Sequence, residues 1–160
     1  MGRLLGIAHA RVKRAPLAEA PNAVVDIARG LEGDARGAKT GRQITVLFRE
    51  GWEAACRDLG VVLPWTMRRA NLLVEGVPIP RKGHRLIIGA STLEVTDETQ
   101  PCSLMEKAHS GLRAALAPDW RGGVCCRVVA GGPIQVGDEV RVEEQMDAKG
   151  AQPSQGSLRF

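Results

Sequence analysis

Three groups of residues in this chain have types and spacings suited to chemistry: a thiol, a pair of guanidinium groups and a glycine-lined polar loop. Cys102 follows Pro101 and directly precedes Ser103-Leu104-Met105-Glu106. That is the Ser-x-x-Glu pattern of a capping box, opening an apolar-periodic segment. The pattern predicts a helix beginning there, with the thiol just outside its N-terminus. Unpaired N–H groups and the helix dipole favour an anion at such a place. A thiol so placed tends toward thiolate, the form that attacks electrophiles, carries sulfur or binds a soft metal. The competing use of the position is packing, as a hydrophobic staple before the helix.

The paired arginines are Arg68 and Arg69, followed by Ala70 and Asn71 at the mouth of a predicted strand. Guanidinium groups recognise phosphate or carboxylate bidentately, and the Asn71 amide could read the edge of a heterocycle. Otherwise the arginines form a solvated charge pair. The loop is Gly33-Asp34-Ala35-Arg36-Gly37, with Lys39 close behind. Its backbone N–H groups and Arg36 could cradle a phosphate, although the pattern matches neither a P-loop nor a dinucleotide fingerprint. The plainer reading is a surface loop with solvated charges.

The other cysteines are less well placed. Cys56 falls on the apolar stripe of a predicted helix and reads as core. Cys125 and Cys126 are neighbours in a predicted strand, so they face opposite sides: one a core thiol, the other lining a pocket or the surface. A vicinal disulfide would be strained. His9, His84 and His109 are scattered. His109 is nearest to Cys102, two helical turns or about 10 Å away, too far for a local base. No Cys-x-x-Cys, His-Glu-x-x-His or Gly-x-Ser-x-Gly occurs, which argues against a structural zinc site and a serine nucleophile.

These residues need a frame. The chain of 160 residues suits one domain with a real core. Period-2 patterns predict strands at 3–12, 22–29, 42–48, 70–75, 84–88, 92–97, 123–130 and 139–144. Helical spacing of Trp52, Ala55, Cys56 and Leu59 predicts a helix over 50–59, stopped at Gly60. A second helix is predicted from Cys102 to about Leu116. Four glycines in residues 30–41 mark a long loop. About eight short strands, two helices and no βαβ alternation predict a mainly β fold, a closed or nearly closed barrel with helices packed on it. The domain is expected over 1–146, with 147–160 a disordered Gly, Gln, Ser and Pro-rich tail.

Composition narrows the function. Aromatics are 3%, with no Tyr, which argues against stacking on nucleic-acid bases. A net charge of +4 suits a pocket for an anionic small molecule at least as well as a nucleic-acid face. No apolar run reaches the roughly 20 residues that cross a bilayer, and no signal-peptide core is seen near the start. The expected setting is the cytoplasm, away from membranes, with reduced thiols.

In order, the segments Gly30-Leu-Glu-Gly-Asp-Ala, Arg42-Gln-Ile-Thr-Val-Leu with Glu50, Arg68-Arg-Ala-Asn-Leu-Leu-Val-Glu-Gly76, Ile88-Gly89, Leu93-Glu-Val-Thr, Pro101-Cys102, Gly122-Gly-Val and Gly131-Gly-x-Ile-x-Val-Gly-Asp138 resemble the MOSC domain. That module occurs at the C-terminus of molybdenum cofactor sulfurases and as small standalone proteins. The resemblance covers about residues 3–142. It implies a barrel like the pyruvate-kinase β-barrel domain, with Cys102 at the family's cysteine position. There the thiol would carry sulfur as a persulfide or bind the molybdenum of the molybdopterin cofactor. Arg68, Arg69 and Asn71 would contact the phosphate side of the pterin, with Gly33, Asp34 and Arg36 also at the cofactor. Arg36 stands where many small members have a His, which favours anion binding over proton transfer.

Implied partners are the pterin cofactor and a sulfur donor or electron-transfer protein. No sulfurase or ferredoxin-like partner domain is seen in the chain. If catalytic, the protein would be a molybdenum-dependent oxidoreductase, for example reducing N-hydroxylated compounds, or a sulfur transferase. The rival classes are a non-catalytic cofactor carrier or storage protein and a basic barrel binding nucleic acid, against which the scarce aromatics and modest charge weigh.

Overall fold

A computed structural model describes residues 1–35, 37 and 41–144. Arg36 and the expected tail at 147–160 lie outside the described residues. The elements in chain order begin with strands β1 (Gly2–His9), β2 (Ala18–Glu19), β3 (Asn22–Asp26), β4 (Gly30–Leu31) and β5 (Ile44–Phe48). Helix α1 (Arg49–Leu59) and a 3-10 turn (Trp65–Arg68) precede β6 (Leu72–Glu75), β7 (Arg85–Ile88) and β8 (Ser91–Glu98). Helices α2 (Ser103–Ala108) and α3 (Leu112–Leu116) lead to β9 (Val124–Ala130), β10 (Gly132–Gln135) and β11 (Glu139–Glu143).

Seven strands close a barrel in the order β11-β7-β8-β9-β5-β6-β1, sealed by Gly2 opposite Val140 and Arg3 opposite Glu139. Closure removes the exposed strand edges that an open sheet would leave. Gly2 is required at the seam, because a Cβ there would lie 2.3 Å from the Glu75 carbonyl oxygen. β2 extends the sheet beyond β1, and β10, β3 and β4 form a separate three-stranded sheet. Gly89 and Ala90 make a tight turn between β7 and β8, with Ile88 opposite Ser91.

Alternate residues from these strands fill the barrel. Leu4, Val46, Phe48, Leu72, Leu93 and Val124 are among its fully enclosed side chains. A second apolar cluster lies outside the wall, where Leu47 and Leu73 meet Trp52, Cys56, Met105, Leu112 and Leu116 of the helices. β5 is therefore covered on both faces, which explains why Ile44-Thr-Val-Leu-Phe is apolar almost throughout instead of alternating. Cys56 is core, as its position on the helical stripe predicted.

Two expectations are corrected. β5 and β6 pair in parallel, Val46 opposite Leu72, with α1 in the crossover, so one β-α-β unit is present. A parallel pair needs such a long connection. The segment after Cys102 also forms two short helices and not one. Cys102 itself is the extended N-cap of α2, and no side chain caps that helix. Ser103 is thereby the first helical residue and Glu106 falls one place beyond the capping-box position. Its carboxylate instead accepts the N–H of Gly111 at 2.9 Å, at the left-handed N-cap of α3.

Candidate functional site

Cys102 opens onto a cavity of about 440 Å³. The wall comes from segments far apart in sequence. Lys13 and Arg14 come from the loop after β1, Arg42, Gln43 and Thr45 from the start of β5, and Arg68 to Asn71 from the approach to β6. Thr99 follows β8, Leu104 and Met105 belong to α2, and Gly122 precedes β9. The cavity thus collects five cationic side chains and one exposed thiol, and no carboxylate among the described residues lines it. Lys13, Arg14 and Arg42 have no ion pair among the described residues. Arg14 and Arg69 both hold left-handed backbone, at φ 67° and 65°. Non-glycine residues adopt that conformation at a cost and gather at binding sites.

Arg68 is not a solvated charge. It is 6% exposed. Its Nε donates to the Gly122 carbonyl and its Nη2 to the Thr99 carbonyl, each at 3.0 Å. These bonds tie the segment before Cys102 to the segment before β9. Burial lowers the Arg68 pKa, a shift opposed by the nearby thiols of Cys102 and Cys125 and reinforced by Arg42. The guanidinium stays protonated all the same. Nη1 has no protein partner among the described residues, and Arg68 lines the cavity, so that nitrogen remains for a ligand.

Asn71 is 3% exposed, and its amide is engaged at both ends. Oδ1 accepts from the Thr45 backbone N–H at 3.0 Å, and Nδ2 donates to the Ala8 carbonyl at 3.2 Å. It joins β1, β5 and β6 beside the cavity, which leaves little amide for reading a heterocycle.

Gly33 and Asp34 do not line the cavity. Gly33 sits at φ +89° against the His9 ring. Asp34 accepts the Ala10 N–H on Oδ1 at 3.1 Å, fastening the loop to the end of β1. Of the residues singled out in sequence, the fold brings together Cys102, Arg68, Arg69 and Asn71.

The vicinal thiols divide as strand geometry requires. Cys126 points into the barrel, where burial pushes its pKa up from the ordinary 9.0. Cys125 sits opposite Thr45 on the cavity side. It is 2% exposed and lies 3.3 Å from the Thr99 hydroxyl, so it forms the layer behind the wall and not the lining.

Sequence reading missed Lys13, Arg14, Arg42, Gln43 and Thr45 as lining residues. Arg42 could have been found from its place immediately before a strong strand that aims at the cavity. Lys13 and Arg14 sit in a loop whose course depends on β1 pairing with β2, which no local pattern states.

In sum of chemistry, the site can bind an anion with several oxygens and present a soft sulfur nucleophile or ligand to it. The α2 helix has only six residues, so its dipole adds little; the guanidinium groups supply the positive potential.

No curated protein matches this chain. Among solved structures, it is similar to the YuaD protein from Bacillus subtilis, with 22% identity and a TM-score of 0.73 over 91% of this chain and 98% of that one. It is also similar to YiiM from Geobacillus stearothermophilus, with 16% identity and a TM-score of 0.72 over 90% of this chain and 76% of that one. For YiiM from Escherichia coli the values are 16% and 0.67 over 90% and 71%. At these identities the likeness establishes the barrel fold. The sequence model of the MOSC domain matches residues 33–141, more than half of the chain and the span from the Gly33 loop to β11. The chain therefore belongs to the MOSC domain family.

Proposed function

We propose that the cavity binds a phosphorylated pterin of the molybdenum-cofactor class, with Cys102 as a soft ligand to the metal or as the carrier of a persulfide sulfur. The observation that carries this reading is one cavity holding an exposed thiol, five cations and no carboxylate among the described lining residues. Molybdenum in such a cofactor takes a sulfur donor, and a phosphate takes guanidinium forks. Arg69, Arg42 and the free Nη1 of Arg68 would hold the phosphate, with Lys13 and Arg14 at the rim. The amides of Gln43 and Asn71 are both already bonded at each end, and the Thr45 hydroxyl accepts the Asn71 N–H, so these groups hold the wall in place instead of reading the ring system.

When bound, the cofactor would supply two-electron redox chemistry. The chain would orient it beside Cys102, with Leu104 and Met105 as an apolar wall. Reduction of an N-hydroxylated compound would draw electrons from a separate electron-transfer protein. A cytoplasmic setting belongs to this proposal, since an exposed thiol persists in a reducing compartment.

The test is purification from a host that makes the cofactor, followed by mass spectrometry of molybdenum and pterin. Wild-type protein should hold both, and Arg42→Ala with Arg69→Ala should hold neither. Wild-type protein with no pterin would overturn the reading. Turnover of an N-hydroxylated compound with an added reductase marks an enzyme, whereas retention with no turnover marks a carrier.

A further inference from the structure

We propose that Cys102 is loaded with sulfur by a small sulfur oxyanion of the thiosulfate class, bound by the cationic wall of the cavity through its sulfonate end. This rests on the sulfur-carrier form of the function proposed above and names the donor. Three observations point to it.

First, the exposed thiol shares its cavity with Lys13, Arg14, Arg42, Arg68 and Arg69, with no carboxylate among the described lining residues. A dianion is attracted there. A zwitterionic donor, such as an amino-acid persulfide, carries an ammonium beside its carboxylate and is attracted less strongly. Second, Arg68 is more than nine-tenths buried and spends Nε and Nη2 on carbonyl oxygens, but Nη1 has no protein partner among the described residues. A buried cationic donor with an open N–H is a preformed oxyanion contact. Third, one of those bonds, from Nη2, fixes Arg68 to the Thr99 carbonyl, three positions before Cys102. A direct hydrogen bond therefore ties the anion contact to the segment that carries the thiol.

The step balances without an outside oxidant. The Cys102 thiolate attacks the outer sulfur of thiosulfate, and its electron pair forms the new S–S bond. The S–S bond of thiosulfate breaks, and that electron pair leaves with sulfite. Cys102 is left as a persulfide. Negative charge moves onto the departing oxyanion, where the guanidinium groups stabilise it.

The experiment uses the purified, reduced full chain with sodium thiosulfate. Sulfite released and the mass of the Cys102 peptide are followed together. One sulfite per chain and a gain of one sulfur atom on Cys102 are expected, both abolished in Cys102→Ser. Arg42→Ala should slow loading about tenfold, as loss of one charge-assisted contact implies. Alkylation of Cys102 by neutral iodoacetamide in the same variant should stay within about twofold, which separates anion binding from thiol reactivity. Loading by a neutral polysulfide but not by thiosulfate would overturn the donor class while leaving the sulfur-carrier reading intact. Equal thiosulfate rates in wild type and Arg42→Ala would also overturn it. Thiosulfate loading in protein that retains no pterin would sustain the donor class and remove the cofactor reading.

Discussion

Arg68 donates from Nη2 to the carbonyl oxygen of Thr99 at 3.0 Å, and the same guanidinium holds the Gly122 carbonyl. One buried cation thereby joins the strand exit that leads to Cys102 with the strand entry that leads to Cys125. Gly122 has no side chain to obstruct the contact: a Cβ there would lie 2.7 Å from the Thr99 oxygen and 3.1 Å from Nη2 of Arg68.

Arg68→Ala should therefore destabilise the fold and not merely weaken a ligand. Two carbonyl oxygens lose charge-assisted partners, at a cost of about 2–4 kcal/mol. For a domain of this size that lowers the thermal midpoint by roughly 5–12 °C. Arg68→Lys should recover less than half of the loss, because an ammonium cannot span both carbonyls in the guanidinium fork. Calorimetry of the two variants checks this; an unchanged midpoint in Arg68→Ala would show that the two bonds carry no net stability.

Native-state labelling should find one reactive thiol. Cys102 is exposed, while Cys56, Cys125 and Cys126 are buried. Limiting iodoacetamide at neutral pH should modify Cys102 alone, and all four cysteines only in denaturant. Peptide mapping that finds Cys125 labelled as fast as Cys102 would mean that the Thr99 wall opens readily.

The barrel was legible because the strands carry their burial in their own residue pattern. Ile44-Thr-Val-Leu-Phe and Leu86-Ile-Ile need no distant information to read as extended. The break at His109–Gly111 was not legible, because Ser103 and Glu106 satisfy the capping pattern whether or not Cys102 takes the N-cap. Only the fold shows Glu106 turning forward to Gly111. The site divided along the same line. Cys102 and the Arg68–Asn71 segment were found from residue type, but their roles follow from partners 26 to 63 positions away, such as Thr45 and Ala8 for Asn71. Such partners are set by strand order, which local sequence does not encode. The parallel pairing of β5 with β6 went unread for that reason too.

Cys126 makes stability fall in alkali. Its thiol is neutral in the fold, where burial raises its pKa, and ionises from about 9.0 once unfolded. The stability that it contributes is fully present below the unfolded pKa and is lost as pH rises toward the folded one. The loss is at most about 1.4 kcal/mol per pH unit. Between pH 8 and pH 10.5 wild type should lose about 2 kcal/mol more than Cys126→Val. Denaturant titrations at the two pH values measure the difference; parallel losses would place the alkaline sensitivity elsewhere.

Asn71 separates a ligand-reading amide from a structural one. Its Nδ2 donates to the Ala8 carbonyl while Oδ1 accepts from Thr45, so an isosteric Asp keeps the acceptor and loses the donor. At neutral pH the Asn71→Asp carboxylate would face the Ala8 oxygen in a buried place, which costs about 2–4 kcal/mol. Protonation restores an O–H donor. Burial and the facing Ala8 oxygen raise the folded pKa of the introduced Asp above its unfolded value, against the opposing pull of the cavity's cations. The stabilising contribution of its protonated form is complete below the unfolded pKa of about 3.9 and disappears as pH rises through the folded one. Stability relative to wild type should improve on acidification from pH 7 toward pH 4. An Asn71→Asp protein as stable as wild type at pH 7 would show that the Ala8 bond is dispensable and return Asn71 to the ligand.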